Sequence, residues 1–131
     1  MRDGKYVILC IDDDPDFLDT LKPVIESADY LMVTADGAEE GLRVYQEERP
    51  DLVLVDLMME EIDAGENFVK DVRLLGNSPP IIMLSSVGNS LALNTSYSDL
   101  GLDGLLQKPI DPKTLLATLK AELARTKGKR N

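Results

Sequence analysis

Short apolar runs alternate with longer amphipathic segments along the 131-residue chain. The runs predict five strands, at residues 6–11, 31–33, 52–55, 81–84 and 105–106. The amphipathic segments predict five helices, at residues 15–27, 38–47, 66–75, 90–100 and 112–125. Strict alternation of strands and helices is typical of a parallel sheet with helices on both faces, so we expect one doubly wound α/β domain.

Two of the predicted helices carry unfavourable residues. Pro23 lies inside the first helix, where we expect a kink or an early break. The fourth helix overlaps residues 88–98, a segment rich in Ser, Asn and Thr, whose side chains compete with helical hydrogen bonds. At the start of the first helix, Asp14 followed by Pro15 predicts an N-cap.

Polar residues stand at the carboxyl ends of four predicted strands. Asp12 and Asp13 follow the first strand, and Asp56 ends the third. Ser85 follows the fourth strand and Lys108 follows the fifth. Ligand sites of open α/β sheets lie beyond the carboxyl ends of the strands, so we expect these side chains to face one crevice.

This set of residues favours phosphoryl chemistry. Three neighbouring carboxylates require a compensating cation, and a cluster of oxygen ligands suits Mg²⁺. A lysine and a hydroxyl beside that cluster complement a phosphoryl group. Asp56, which we expect to be the innermost of the three carboxylates, is the candidate nucleophile and would carry an aspartyl-phosphate.

Composition excludes several other chemistries. The chain has no histidine, which excludes histidine general bases, histidine-liganded zinc and Ser-His-Asp triads. Its single cysteine, Cys10, lies in an apolar run and is interpreted as a core residue. No segment resembles a signal peptide or a membrane span, so we expect a cytoplasmic protein that does not bind membranes.

The net charge of −10 argues against direct nucleic-acid binding by this domain. Four of the fourteen Lys and Arg residues cluster at positions 125–131. We interpret this cluster as a solvated helix end; a nucleic-acid arm and a linker remnant are the alternatives. The predicted organisation is therefore a domain at residues 1–125 and a short basic tail at residues 126–131.

Four sequence stretches together resemble the receiver domain of two-component response regulators, the CheY-like family. They are ILCIDDDP at residues 8–15, PDLVLVDLMM at 50–59, IIMLSS at 81–86 and KP at 108–109. The resemblance implies a flavodoxin-like sheet of order 2-1-3-4-5. It also implies a cis peptide bond before Pro109.

The resemblance implies specific roles for the site residues. Asp56 would accept a phosphoryl group from a sensor histidine kinase or a phosphotransfer protein. Asp13, Asp56 and the backbone carbonyl of Met58 would hold Mg²⁺, with Asp12 acting through water. Ser85 would be the switch hydroxyl and Lys108 the phosphate-binding lysine. Such a domain is not a classical enzyme, because it catalyses only its own phosphorylation and dephosphorylation.

Some positions depart from the family pattern. Glu60 replaces the usual Pro after the acceptor loop, and Ala64-Gly65 replaces the usual Asp-Gly. Leu105 stands where the family usually has Tyr or Phe, and we expect it to pack inward as an aliphatic residue.

Two other functions compete with the receiver interpretation. A haloacid-dehalogenase-like phosphatase also uses an aspartyl nucleophile and Mg²⁺, but it requires a second Asp where this chain has Met58. A phosphorylation-independent pseudo-receiver would have an eroded acidic site, whereas here the site is intact. We expect a stand-alone receiver, a monomer or weak dimer that signals to an unknown downstream protein; a receiver excised from a larger regulator is the alternative.

Overall fold

The computed structural model describes residues 2–56, 64–76, 79–86 and 103–127. The strands are β1 Val7–Ile11, β2 Leu31–Ala35, β3 Leu52–Asp56, β4 Ile81–Ser86 and β5 Gly104–Lys108. The helices are α1 Pro15–Ser27, α2 Ala38–Glu48, α3 Ala64–Leu74 and α4 Pro112–Lys127. The predicted helix at residues 90–100 lies outside the described residues.

The five strands form one parallel sheet of order β2-β1-β3-β4-β5. This confirms the doubly wound α/β prediction and the order that the resemblance implies. Every residue of β1 and β3 is buried, as their unbroken apolar sequences predict. The two edge strands extend beyond their predicted bounds, and each has a mixture of buried and more exposed residues.

Alternating side chains of the central strands fill two cores on opposite faces of the sheet. Ile8 and Cys10 of β1 face one core, which α1 and α4 cover through residues such as Ile25 and Leu119. Leu9 and Ile11 face the other core, which α2 and α3 cover through Val44, Phe68, Val69 and Val72. The burial of both faces fixes the sheet in the middle of the domain.

Helix α1 continues through Pro23, so the expected early break is wrong. Pro23 lies on the exposed side of the helix, where solvent can reach the carbonyl that the proline leaves without a helical partner. Leu21 and Ile25 lie on the buried side and pack into the core before and after Pro23. Burial of these two side chains holds both halves of the helix on the sheet.

The expectation that Leu105 packs inward is also wrong, because its side chain is 37% exposed. Leu105 belongs to edge strand β5, where alternation places Leu106 in the core and Leu105 on the other face.

Helix α4 extends past its predicted end at position 125, to Lys127. Among the described residues, no helix has the length and apolar character needed to cross a bilayer.

Two aspartates join elements at the amino edge of the sheet. Oδ2 of Asp51 accepts the backbone N–H of Val7 at 2.8 Å, and the Asp51 N–H donates to the Val7 carbonyl at 2.7 Å. Asp103 makes the same pair of bonds with Ile81, at 2.8 and 2.7 Å. Asp103 also accepts from Arg73 of α3 and Arg125 of α4, at 2.9 and 3.2 Å.

Candidate functional site

The structure brings the predicted polar residues to one edge of the sheet. Asp12 and Asp13 follow β1, and Asp56 is the last residue of β3. Ser85 lies near the end of β4 and Lys108 is the last residue of β5. The shared direction of the strands therefore places all five at the carboxyl edge, as predicted.

The three aspartates form an acidic cluster. Asp12, Asp13 and Asp56 each offer one carboxylate oxygen, and these atoms lie within 4.8 Å of one another. Asp13 is exposed at the rim, whereas Asp12 is fully buried and Asp56 is 6% exposed. The expectation that Asp56 is innermost is wrong, because Asp12 lies deeper in the domain.

Each aspartate of the Asp12-Asp13-Asp14 run has a different role. Asp14 is the N-cap of α1, and its Oδ1 accepts the backbone N–H groups of Asp16 and Phe17 at 3.0 and 3.4 Å. Oδ1 of Asp12 accepts the backbone N–H of Asp14 at 2.9 Å, which orients the buried carboxylate. Asp13 faces solvent beside it. The run thus supplies one buried acid, one accessible acid and one helix cap.

Lys108 supplies positive charge to the cluster. Its Nζ lies 2.6 Å from Oδ2 of Asp12 and 3.5 Å from Oδ2 of Asp56. Burial alone lowers the pKa of Lys108, but the hydrogen bond to Asp12 and the nearby charges outweigh it and raise the pKa above its ordinary value. The ammonium therefore stays charged between the two buried carboxylates.

An aromatic ring completes the surroundings of the ammonium. Lys108 Nζ lies 4.1 Å from the centroid of the Phe17 ring. Phe17 is in the first turn of α1, is partly buried and packs against the core beneath α1 and α4. A cation over the face of an aromatic ring at this distance is attracted by the negative potential of the ring.

Ser85 and the peptide bond before Pro109 also match the predicted site. Ser85 is 1% exposed and pairs in register with Gln107 on β5, next to Lys108. The peptide bond between Lys108 and Pro109 is cis, as the resemblance implies. Met58 lies outside the described residues, as does Glu60. Polar side chains at the carboxyl ends of four strands, β1, β3, β4 and β5, therefore lie together at this edge.

Cys10 is a core residue, as predicted. Its thiol is fully buried on the α1 and α4 side of the sheet. Burial, followed by the charge of Asp12, raises the pKa of the thiol well above its ordinary value. A buried, protonated thiol is a poor nucleophile, so Cys10 adds packing rather than chemistry to the site.

The fold and the site agree with one family. A family model described as "Response regulator receiver domain" matches residues 8–120. The chain belongs to the response regulator receiver domain family. Receiver domains are signalling domains of two-component systems rather than classical enzymes, so the haloacid-dehalogenase-like alternative is set aside.

Named relatives and solved structures agree with this assignment. The receiver domain is similar to the probable transcriptional regulator ycf27 of Guillardia theta, with 34% identity covering 93% of this chain and 47% of that protein. It is 31% identical to the alkaline phosphatase synthesis transcriptional regulatory protein PhoP of Bacillus subtilis, covering 91% of this chain and 49% of that protein. The chain thus spans about half the length of these relatives.

Two solved structures share the fold. A CheY-like response regulator receiver domain protein of Methanospirillum hungatei has 27% identity and a TM-score of 0.82, covering 96% of this chain and 99% of that one. The chemotaxis protein CheY4 of Vibrio cholerae has 29% identity and a TM-score of 0.77, covering 91% and 99%. Nearly the whole length of each of these chains therefore superposes on this one.

Sequence reasoning missed three residues with defined contacts. Phe17 follows the ordinary apolar pattern of a helix, and nothing in that pattern separates a ring over a lysine from a core residue. Asp51 and Asp103 each stand directly before a strand, where an aspartate usually caps or bonds locally. Their hydrogen bonds to distant strands follow only from the assembled sheet.

Proposed function

We propose that Asp56 accepts a phosphoryl group in a Mg²⁺-dependent reaction, and that this changes the contacts of the domain with other proteins. The observation that carries the proposal is the position of Asp56 within the acidic cluster, 3.5 Å from Lys108 and 6% exposed, whereas Asp12 is fully buried. Asp12 is less suited, because it is fully buried and both of its carboxylate oxygens accept hydrogen bonds. Asp13 is at the rim.

The donor set fits Mg²⁺. Three carboxylates within 4.8 Å supply only oxygen ligands, which hard cations prefer. Asp13 and Asp56 would hold the ion directly, together with the backbone carbonyl of Met58, and Asp12 would act through water. Bound Mg²⁺ would offset the negative charge of the phosphoryl oxygens.

The proposed transfer forms one bond to phosphorus and breaks one. A lone pair of the Asp56 carboxylate attacks phosphorus and forms a P–O bond. The P–N bond of a donor phosphohistidine breaks, and its electron pair returns to the imidazole nitrogen. No base is needed, because a carboxylate attacks through an oxygen lone pair and loses no proton in the step.

Two other side chains would bind the transferred group. Lys108 would exchange part of its contact with Asp12 for a phosphoryl oxygen, since its Nζ already lies between Asp12 and Asp56. Ser85 would donate its hydroxyl hydrogen from the neighbouring strand β4. These interactions would draw the ends of β4 and β5 toward Asp56 and so carry the signal outward.

We further propose a sensor histidine kinase or a phosphotransfer protein as the donor and an unidentified protein as the target. The receiver domain would comprise residues 1–125, with the basic residues after it as a helix end or linker. Direct nucleic-acid binding by this domain is not proposed, because a net charge of −10 disfavours contact with a phosphate backbone. Monomeric or weakly dimeric behaviour is expected.

The test is a titration with the phosphoryl mimic beryllofluoride in the presence of Mg²⁺, in which binding is measured from changes in amide chemical shifts. Wild-type protein should show saturable shifts around Ser85 and Lys108, and Asp56→Asn should show none. The matched control is Asp19→Asn, which removes one charge from an exposed position of α1 outside the acidic cluster. Equal shifts in wild type and Asp56→Asn would contradict the proposal. No shift in wild type would also contradict it and would favour a phosphorylation-independent module.

A further inference from the structure

We infer that Phe17 is a positioning residue for Lys108, and that the face of its ring, rather than its volume alone, holds the ammonium where it meets the phosphoryl group. The inference deepens the proposed function and rests on it. It starts from one contact, the 4.1 Å separation between Lys108 Nζ and the centroid of the Phe17 ring.

The ring itself is held in place from two sides. Oδ1 of Asp14 accepts the backbone N–H of Phe17 at 3.4 Å, which fixes the first turn of α1. The ring also packs against the buried cluster beneath α1 and α4. A partly buried aromatic residue on a capped helix end is a rigid surface, whereas the lysine side chain above it has four flexible carbons.

The ring offers an interaction that the carboxylates do not. The contact of Lys108 with Asp12 is short, at 2.6 Å, and that with Asp56 is long, at 3.5 Å. Carboxylates alone would therefore favour a position close to Asp12. The ring attracts the ammonium without a directional acceptor, so the ammonium can exchange a carboxylate oxygen for a phosphoryl oxygen while it keeps the ring contact.

A second phenylalanine makes it possible to separate this role from ordinary packing. The chain contains two phenylalanines, Phe17 and Phe68. Phe68 is 1% exposed and lies on the opposite face of the sheet, with its ring at 90° to that of Tyr45. Phe68 therefore serves as a matched aromatic control that is buried but distant from Lys108.

The experiment replaces Phe17 site-specifically with mono-, di- and trifluorophenylalanine. Fluorine changes the ring volume little but progressively weakens the negative potential of the ring face. We expect the affinity for beryllofluoride in the presence of Mg²⁺ to fall stepwise along the series, by several-fold in total. Phe17→Tyr should retain the affinity and Phe17→Leu should lose it, while the same fluorinated series at Phe68 should have no effect.

A second readout observes the contact without any ligand. The protons next to Lys108 Nζ should show an upfield ring-current shift that Phe17→Leu abolishes and that exposed Lys113 lacks. Equal affinity along the fluorinated series, or no ring-current shift, would overturn the role of Phe17 while leaving the proposed function intact. Absence of beryllofluoride binding in the wild type would overturn the proposed function, and the functional role of Phe17 with it.

Discussion

The ammonium of Lys108 lies 2.6 Å from a carboxylate oxygen of Asp12. Asp12 is fully buried, and its other oxygen accepts the N–H of Asp14. A buried carboxylate that lost its cation would be strongly destabilising, so Lys108 and Asp12 neutralise one another in the absence of other ligands. The same ion pair places a positive charge next to the proposed metal ligands.

Removal of Lys108 should therefore strengthen Mg²⁺ binding and weaken phosphorylation. In Lys108→Met the acidic cluster loses a repulsive cation, which should improve the affinity for Mg²⁺ by about 1 kcal/mol, or roughly fivefold. Phosphorylation by acetyl phosphate should become at least several-fold slower, because the phosphoryl oxygens lose a cation. Calorimetric titration with Mg²⁺ measures the first effect, and Lys113→Met on the exposed side of α4 is the control. Weaker Mg²⁺ binding by Lys108→Met would contradict this account.

Cys10 should be unreactive toward alkylating reagents in the folded protein and fully reactive in denaturant. Its thiol is buried, and its pKa is raised above the ordinary value of 9.0 by burial and by Asp12. Above that pH only the unfolded chain releases the thiol proton, so wild type should lose stability relative to Cys10→Ala as pH rises. Urea titrations of both proteins between pH 7 and pH 10 check the sign. If wild type instead gained stability relative to Cys10→Ala as pH rises, the result would be inconsistent with a protonated buried thiol.

Asp103→Ala should destabilise the domain by about 1–3 kcal/mol, because it leaves the buried N–H of Ile81 without its acceptor and removes one ion pair from each of two arginines. Asp19→Ala, at an exposed position of α1, should change the free energy of unfolding by about 0.5 kcal/mol or less. Equilibrium urea denaturation measures both. Equal stabilities of the two variants would show that Asp103 does not join α3, β4 and α4.

Phosphorylation should disturb β4 more strongly than β5 at position 105. Leu105 has no aromatic ring to rotate and is already 37% exposed, so little buried surface depends on its rotamer. Beryllofluoride should shift the amide resonances of Ser85 and Ser86 strongly and those of Leu105 weakly. Comparable shifts at Leu105 and along α4 would show that the edge strand switches without an aromatic residue.

The sequence predicts the fold because its strongest signals are local. Unbroken apolar runs mark β1 and β3, and the placement of polar residues at strand ends follows once the sheet is parallel. The acidic cluster could be predicted for the same reason. Continuation of α1 through Pro23 and exposure of Leu105 could not, since both depend on which face of an element meets the core. The depth of Asp12 relative to Asp56 likewise depends on the packed sheet.

Intact mass spectrometry can establish whether Asp56 is the phosphoryl acceptor. Wild type, Asp56→Asn and Asp19→Asn are incubated with acetyl phosphate, with and without Mg²⁺. We expect a single added phosphoryl group on wild type and Asp19→Asn only when Mg²⁺ is present, and none on Asp56→Asn. Equal labelling of Asp56→Asn and wild type, or labelling that does not depend on Mg²⁺, would contradict it.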